Sequence, residues 1–250
     1  MKAMILAAGL GTRLRPLTND RPKALVEVGG RTMLEITLAR LRDFGIRDVI
    51  VNVHHFADLV VEYLKKKNNF DMHIEVSIED ELLDTGGGVK KASWFLNDSG
   101  GNPKEDSFVL HNVDVLSSID LERVIVAHRK NQALATLAVQ DRETSRYLLF
   151  DDRQQLCGRR AGRDHAPEFV RSTTPVHARA FSGIHIISAR LFALMTEQGS
   201  FSIIDAYLRL AAQGEKIMAF DADQYYWRDL GRPENVAQAE KDIANKLISG

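Results

Sequence analysis

A single cysteine, Cys157, stands among 250 residues, so the chain has no internal disulfide framework, and no Cys/His cluster with zinc-ligand spacing occurs in it. A reducing cytoplasm is the expected compartment. Charge of one sign is missing too. The 33 Lys and Arg face 34 Asp and Glu, a formal net charge of -1, which offers no electrostatic footprint for nucleic acid or an anionic membrane surface. Any basic cluster must therefore act locally, on a small anion. Long hydrophobic runs are absent: the apolar stretch at residues 4–8 falls far short of the roughly 18 residues of a membrane span and lacks a signal-peptide cleavage pattern. The chain is expected to fold from residue 1 without a membrane segment. Internal repeats and a hexapeptide solenoid are lacking as well.

What is present, 44% hydrophobic and 27% charged residues, suffices for one sizeable core, so a single domain over 1–250 is expected. Short Val- and Ile-rich runs at 2–7, 49–53, 74–78, 108–113 and 134–139 read as strands buried on both faces. Helical patterns alternate with them. The first carries Leu34, Leu38 and Leu41 and stops at Gly45, the second covers 56–67 with a basic end, and the third covers 88–96. This alternation predicts the α/β class, a Rossmann-like doubly wound, mostly parallel sheet, with ligands beyond the carboxyl ends of the strands. Residues 141–180 break the pattern with Arg159, Arg160, Arg163, Pro167 and Pro175 and read as a partly ordered flap. Regular structure is expected again as a strand at 181–187, a helix at 201–213, a strand at 216–221 and a helix at 233–246 with proline in its first turn.

The segment Leu6-Ala7-Ala8-Gly9-Leu10-Gly11-Thr12-Arg13-Leu14-Arg15-Pro16 follows the first strand directly. Its backbone amides can cradle phosphate oxygens where Gly9 and Gly11 remove side-chain bulk, and Arg13 and Arg15 add positive charge. It is not a dinucleotide fingerprint, because Leu14 occupies the third glycine position, nor a P-loop, which needs Gly-Lys-Ser/Thr. Taken alone it reads first as a glycine turn with two solvated arginines; Pro22-Lys23 shifts the balance toward the phosphate reading.

Farther on, Asp84-Thr85-Gly86-Gly87-Gly88 leaves a strand and enters a helix. By physics alone this is either a flexible turn or a place where backbone approaches a flat ligand. Leu110-His111-Asn112-Val113-Asp114 ends a buried strand in a carboxylate, a residue expected to be paired or metal-bound in such surroundings. A second carboxylate arrives late, in Trp227-Arg228-Asp229-Leu230-Gly231, where it either caps and pairs with Arg228 or joins a metal site. Phe181-Ser182-Gly183 reads as a strand with a bulge glycine. His54-His55 has no partner motif, and Cys157 has no base beside it.

The run from Leu6 to Lys23 resembles the signature of the sugar-1-phosphate nucleotidyltransferases, and the segments near 79–88, 110–115, 181–184 and 227–231 follow it in that family's order. The resemblance implies a nucleotide-diphospho-sugar transferase fold with a smaller sugar-binding insertion. Residues 1–140 would form mainly the NTP-binding half, 141–232 the sugar-phosphate half and 233–250 a C-terminal helix. It implies that Ala7, Ala8, Gly9, Gly11, Thr12, Arg13 and Lys23 hold the triphosphate, with Asp84, Thr85, Gly86 and Gly87 at the base. Arg13, Lys23 and Asp114 would be catalytic, Asp114 and Asp229 would bind Mg²⁺, and Asn112, Ser182 and Gly183 would meet the sugar phosphate. Val113 stands where glycine is usual, and the family's Glu-Lys-Pro is missing, with Arg160 or Arg163 as its replacement.

The expected partners are an NTP, UTP or GTP, and a sugar 1-phosphate, with neither nucleic acid nor membrane, in a monomer or homodimer. The Thr85-to-Gly88 string looks closest to the muramate and heptose branches, which makes N-acetylmuramate 1-phosphate with UTP the first expectation and mannose or heptose 1-phosphate with GTP the alternative. A non-catalytic nucleotide-sugar sensor and a cytidylyltransferase for a non-sugar alcohol phosphate are competing readings. The late Trp-Arg-Asp-Leu-Gly element counts against the second.

Overall fold

The computed structural model describes residues 1–97 and 106–248. Strand β1, Lys2–Leu6, is an apolar run buried from Ala3 onward. A small hairpin, β2 (Glu27–Val28) and β3 (Arg31–Thr32), leads into helix α1, Met33–Asp43. Thr32 starts that helix by accepting the Glu35 amide on its side chain at 3.1 Å, and Gly45 releases the chain at φ 74°. Strand β4 (Asp48–Val53), helix α2 (Ala57–Lys66) and strand β5 (His73–Ile78) follow with bounds close to those expected.

The expected helix at 88–96 is two helices, α3 (Asp84–Lys91) and α4 (Ser93–Leu96). The glycines are helical because a distant backbone caps them: Phe201 O accepts the Gly86 amide at 2.9 Å and the Gly87 amide at 3.3 Å. Strands β6 (Ser107–Asn112) and β7 (Val115–Ser117) then precede helix α5 (Leu121–Asn131), capped by the Asp120 side chain, and strand β8 (Ala135–Gln140).

Residues 141–180 are not a flap. They contain β9 (Arg146–Asp151), β10 (Leu156–Ala161), β11 (Glu168–Phe169) and the start of β12 (Val176–Ser188), all joined antiparallel. The sequence hides this because the buried runs Tyr147–Phe150 and Leu156–Cys157 are short and set among exposed charges. Their turn is closed locally, with Asp151 accepting the Arg153 and Gln155 amides, each at 2.9 Å. The remaining elements are α6 (Leu191–Leu194), α7 (Ile203–Ala212), β13 (Ile217–Asp221), β14 (Trp227–Asp229) and α8 (Pro233–Ala244). The helix expected to close the chain thus ends at Ala244, and positions 249–250 lie outside the described residues.

The large sheet has the order β11-β10-β9-β12-β6-β1-β4-β5, with β8 and β13 branching from β12. Strands β5, β4, β1 and β6 are parallel, while β12 runs antiparallel to β6. Helices cover both faces: one buried cluster joins Leu34, Leu38, Leu41, Val60, Val124 and Val236, the other Val89, Phe95, Tyr207 and Leu208. This is an α/β sheet of the doubly wound type, and the chain reverses direction across it at β1, laying β4 and β5 on one side and β6 on the other. Such a switch point opens a crevice beyond the carboxyl ends of the strands. No helix among the described residues is long and apolar enough to cross a membrane.

Candidate active site

At that crevice a cavity of about 320 Å³ is lined by Ala8, Gly9, Lys23, Asp84, Thr85, Asn112 and Asp114, together with Asn52, Glu79, Leu82 and Ser200. Seven of the positions singled out in the sequence therefore share one wall system, though they come from four separate stretches of chain. The loop after β1 is shaped by Gly11 at φ 63°, and Thr18 Oγ1 pins it by donating to Gly11 O at 2.8 Å. Thr12 opens the short turn Thr12–Leu14 and, like Arg13, is exposed.

Lys23 runs beneath this loop: a Cβ on Gly9 would stand only 3.2 Å from its Nζ. The ammonium meets Asp114 Oδ2 at 3.1 Å, with side chains 14% and 15% exposed. Burial works to raise the Asp114 pKa, but the attraction and hydrogen bond of Lys23, with Arg13 farther away, outweigh it and hold the carboxyl below its ordinary range. Asp114 is thus an ionised carboxylate at neutral pH.

Asp229 joins it through backbone pairing. Strands β7 and β14 place Asp229 opposite Val115, and Leu230 N donates to Asp114 O at 2.8 Å. Asp229 Oδ1 accepts the Gly231 amide at 2.8 Å, and a Cβ on Gly231 would lie 3.2 Å from Arg13 Nη2, so the Arg13 guanidinium sits against the Asp229 turn. Arg228 does not pair with Asp229; it binds Asp242 at 2.8 Å and Tyr226. Among the described residues no three acidic, histidine or cysteine side chains cluster for a metal. Two carboxylates at the mouth of a phosphate loop still suit Mg²⁺, which usually takes one or two protein carboxylates and completes its shell with phosphate oxygens and water.

Val113 does not crowd the site. Its side chain is 1% exposed in the core, and its amide donates to Leu6 O at 3.2 Å. Gly183 lies in the left-handed region at φ 74°, within a bulge where β12 leaves β9 for β6, and a Cβ there would stand 2.9 Å from Asn112 Nδ2. Ser182 is fully buried and its carbonyl accepts the Trp227 indole at 2.8 Å. Asn112, Ser182, Gly183 and Trp227 therefore form one packed corner.

The glycines of α3 are used differently from the ligand approach considered above. A Cβ on Gly86 would strike the Phe201 ring and a Cβ on Gly87 the Gly199 carbonyl, so protein rather than open cavity lies over them. Thr85 Oγ1 accepts the Ile203 amide at 2.9 Å, which ties the same turn to α7. Asp84, at φ 56°, stays exposed at the cavity.

Sequence reasoning missed two features. The first is a buried polar chain: Ala7 N donates to Asn52 Oδ1 (2.8 Å), Asn52 Nδ2 to Glu79 Oε1 (2.7 Å) and Leu83 N to Glu79 Oε2 (3.1 Å). His54 approaches the Glu79 carbonyl at 2.8 Å, so it borders this chain rather than the open cavity. The second is Arg142, which stacks on Trp227 at 3.6 Å from the ring centroid and donates to Phe181 O at 2.6 Å. Burial lowers its pKa, with the attraction of Asp229 acting in the opposite direction. Nothing in its neighbourhood marks it, since Asp141 and Glu143 surround it with ordinary surface charge. Arg163 is exposed, bonding Tyr147 and lying 3.6 Å from Glu143. Cys157 is buried with its thiol on Leu149 O.

Comparison with known proteins agrees with this geometry. The model of the family described as nucleotidyl transferase matches residues 2–154. An N-acetylmuramate alpha-1-phosphate uridylyltransferase of Caulobacter vibrioides is 33% identical, over 97% of this chain and 96% of its own. A mannose-1-phosphate guanyltransferase of Yarrowia lipolytica is 31% identical over 94% of this chain, which spans 62% of that longer relative. The fold recurs in the crystal structure of HddC from Yersinia pseudotuberculosis (TM-score 0.75, 23% identity, covering 97% of this chain and 99% of that one). It recurs also in the inositol-1-phosphate CTP transferase from T. maritima (TM-score 0.74, 16% identity, 98% and 96%). With its family model spanning more than half of the sequence and a relative matched almost end to end, this chain belongs to the nucleotidyl transferase family.

Proposed function

We propose that the chain joins a nucleotide to a sugar 1-phosphate, with uridylyl transfer to N-acetylmuramate 1-phosphate as the first reading. The observation that carries the reaction class is the Lys23–Asp114 ion pair beneath Gly9, with Asp229 brought next to the Asp114 backbone by the β7–β14 pairing and Arg13 set against the Asp229 turn. The end-to-end relative favours the muramate reading. Guanylyl transfer to mannose 1-phosphate is the second, supported by the Yarrowia relative over 94% of the chain.

In this reading a phosphate oxygen of the sugar 1-phosphate attacks the α-phosphorus of the NTP. A new P–O bond forms, the bond to the β-phosphate oxygen breaks, and pyrophosphate leaves with its electron pair. The nucleophile is already an anion, so no strong general base is required. The work left to the protein is alignment and charge neutralisation. Ala7, Ala8, Gly9, Gly11 and Thr12 cradle the triphosphate, Arg13 neutralises its outer phosphates, and Lys23 neutralises the α-phosphate. Asp84 and Thr85 border the base, with Gly86 and Gly87 holding their turn against Phe201. Asn112, Ser182 and Gly183 shape the sugar-phosphate side, where Arg142 supplies the cation that the missing Glu-Lys-Pro would have brought. Mg²⁺ held by Asp114 and Asp229 would supply further neutralisation of phosphate charge. The buried single Cys157 fits a reducing cytoplasm.

The test is pyrophosphate release from a panel of NTPs against several sugar 1-phosphates with Mg²⁺. Turnover with one NTP and sugar pair is expected. Tight nucleotide-sugar binding by calorimetry without turnover of any pair would instead establish a sensor.

A further inference from the structure

Beside the nucleotide cavity lies a larger one, of about 920 Å³, between the face of β9 and β10 and the start of α7. One stretch, residues 200–205, walls both: Ser200 lines the first, while Ser202, Ile204 and Asp205 line the second. Phe181 joins them from the other side, since it lines the larger cavity and precedes the Ser182-Gly183 bulge packed on Asn112. The two cavities therefore adjoin across residues 200–205 and the Phe181–Gly183 segment.

The walls combine two chemistries. Tyr147, Leu148, Phe181 and Ile204 are apolar or aromatic, while Arg146, Arg159 and Arg160 are cationic. The arginines differ in what already holds them. Arg159 is committed, with its guanidinium 2.7 Å from Glu168 and 2.5 Å from Asp205. Arg160 lies over Tyr147, 5.4 Å from the ring centroid, and its buried Nε has no hydrogen-bond partner among the described residues. Arg146 likewise has no side-chain partner among them.

With Arg159 held by Glu168 and Asp205, the three arginines leave the cavity a net positive charge. A second phosphate would bring two negative charges beside Glu168 and Asp205. A single carboxylate on a short apolar arm matches both the charge and the walls, because its two oxygens accept from a guanidinium fork while the arm packs on Phe181 and Leu148.

Resting on the reading above, we propose that this cavity receives a carboxylate-bearing arm of the sugar 1-phosphate and that Arg160 is the specificity-determining residue that reads it. Arg160 then serves the far end of the sugar, and the phosphate falls to Arg142.

The experiment compares, on the purified full chain with its preferred NTP, N-acetylmuramate 1-phosphate and the same N-acetylated amino sugar 1-phosphate lacking the carboxylate-bearing ether. Wild type should prefer the acidic sugar at least tenfold in kcat/KM. Arg160→Gln should erase most of that preference, chiefly through a raised KM for the acidic sugar with kcat within threefold, and Arg160→Lys should restore part of it. Arg160→Met, which keeps an apolar arm over Tyr147 without the charge, gives the same reading if Arg160→Gln does not fold. Equal turnover of both sugars by wild type overturns this inference and leaves nucleotidyl transfer standing. A preference that survives all three substitutions overturns the role of Arg160. Failure of every sugar 1-phosphate to release pyrophosphate overturns the proposed function and this inference with it.

Discussion

At the scale of single residues, the Lys23–Asp114 pair shows how a site stores its charge before a substrate arrives. Asp114 is ionised despite its burial because an ammonium lies 3.1 Å away. Asp114→Asn keeps the shape and removes the charge, so we expect pyrophosphate release to fall by at least a thousandfold while the circular dichroism spectrum and denaturation midpoint stay near wild type. Activity within tenfold of wild type would refute the metal-ligand role. The buried histidines carry the opposite lesson. Burial pushes His128 down to about 4 and His185 to about 3, against about 6.5 in the unfolded chain. The unfolded state therefore takes up protons that the folded state refuses. Stability is intact above pH 6.5 and is lost as the pH falls from there toward the folded values. Denaturant titrations from pH 7 to 4.5 should show this loss, and His128→Gln, placed against Thr136, should make it shallower; an unchanged slope would remove His128 from the account. Residue types were readable in advance here, since Gly9, Lys23, Asp114 and Asp229 all stood out in the sequence. Arg142 did not, because an arginine between acidic neighbours on a surface-like stretch carries no local sign of its stacking on Trp227.

At the scale of elements, what matters is how pieces distant in sequence hold one another. The chain Ala7–Asn52–Glu79–Leu83 ties the loop after β1 to the turn before α3 through the end of β4. Asn52 and Glu79 are each 2% exposed, so the carboxylate relies on these donors instead of water. Glu79→Gln preserves size but changes an acceptor into a donor toward one of them. We expect it to raise the KM for NTP at least fivefold with little change in the KM for sugar phosphate, measured by initial rates. An equal rise in both would show a general loss of structure instead. The bulge in β12 gives a second case: Gly183→Ala must place a Cβ 2.8 Å from Val115 Cγ2 at φ 74°, for a loss of about 1–3 kcal/mol in denaturant stability. The parallel strands and α1 were legible because short apolar runs, the Leu34-Leu38-Leu41 spacing and the stop at Gly45 mark them locally. Strands β9 to β11 were not, since each is short, charged at its edge, and stable only by pairing with its neighbours. The start of α3 at Asp84 was equally hidden, because the carbonyl that caps its glycines belongs to Phe201.

At the scale of the whole molecule, two cavities share the wall at residues 200–205, and ligand binding should tighten that shared wall. Saturation with the preferred NTP and Mg²⁺ at a hundred times its Kd should add about 2.7 kcal/mol, a rise in melting temperature of about 5–10 °C, readable by calorimetry. Asp114→Asn should reduce that rise by half or more, and a full rise in the variant would place nucleotide binding elsewhere. The sequence by itself determined the α/β class and singled out the glycine loop, Lys23 and both carboxylates as candidates. Those properties follow from local patterns: apolar periodicity, glycine spacing, and charged residues at the ends of buried runs. Only the tertiary structure decided that β7 and β14 bring Asp229 to Asp114, that Gly86 and Gly87 are covered by Phe201 and Gly199, and that Arg160 stays uncommitted while Arg159 is bound. Such contacts span 118 positions from Thr85 to Ile203 and 46 from Arg159 to Asp205, separations over which neighbouring residues in sequence carry no information.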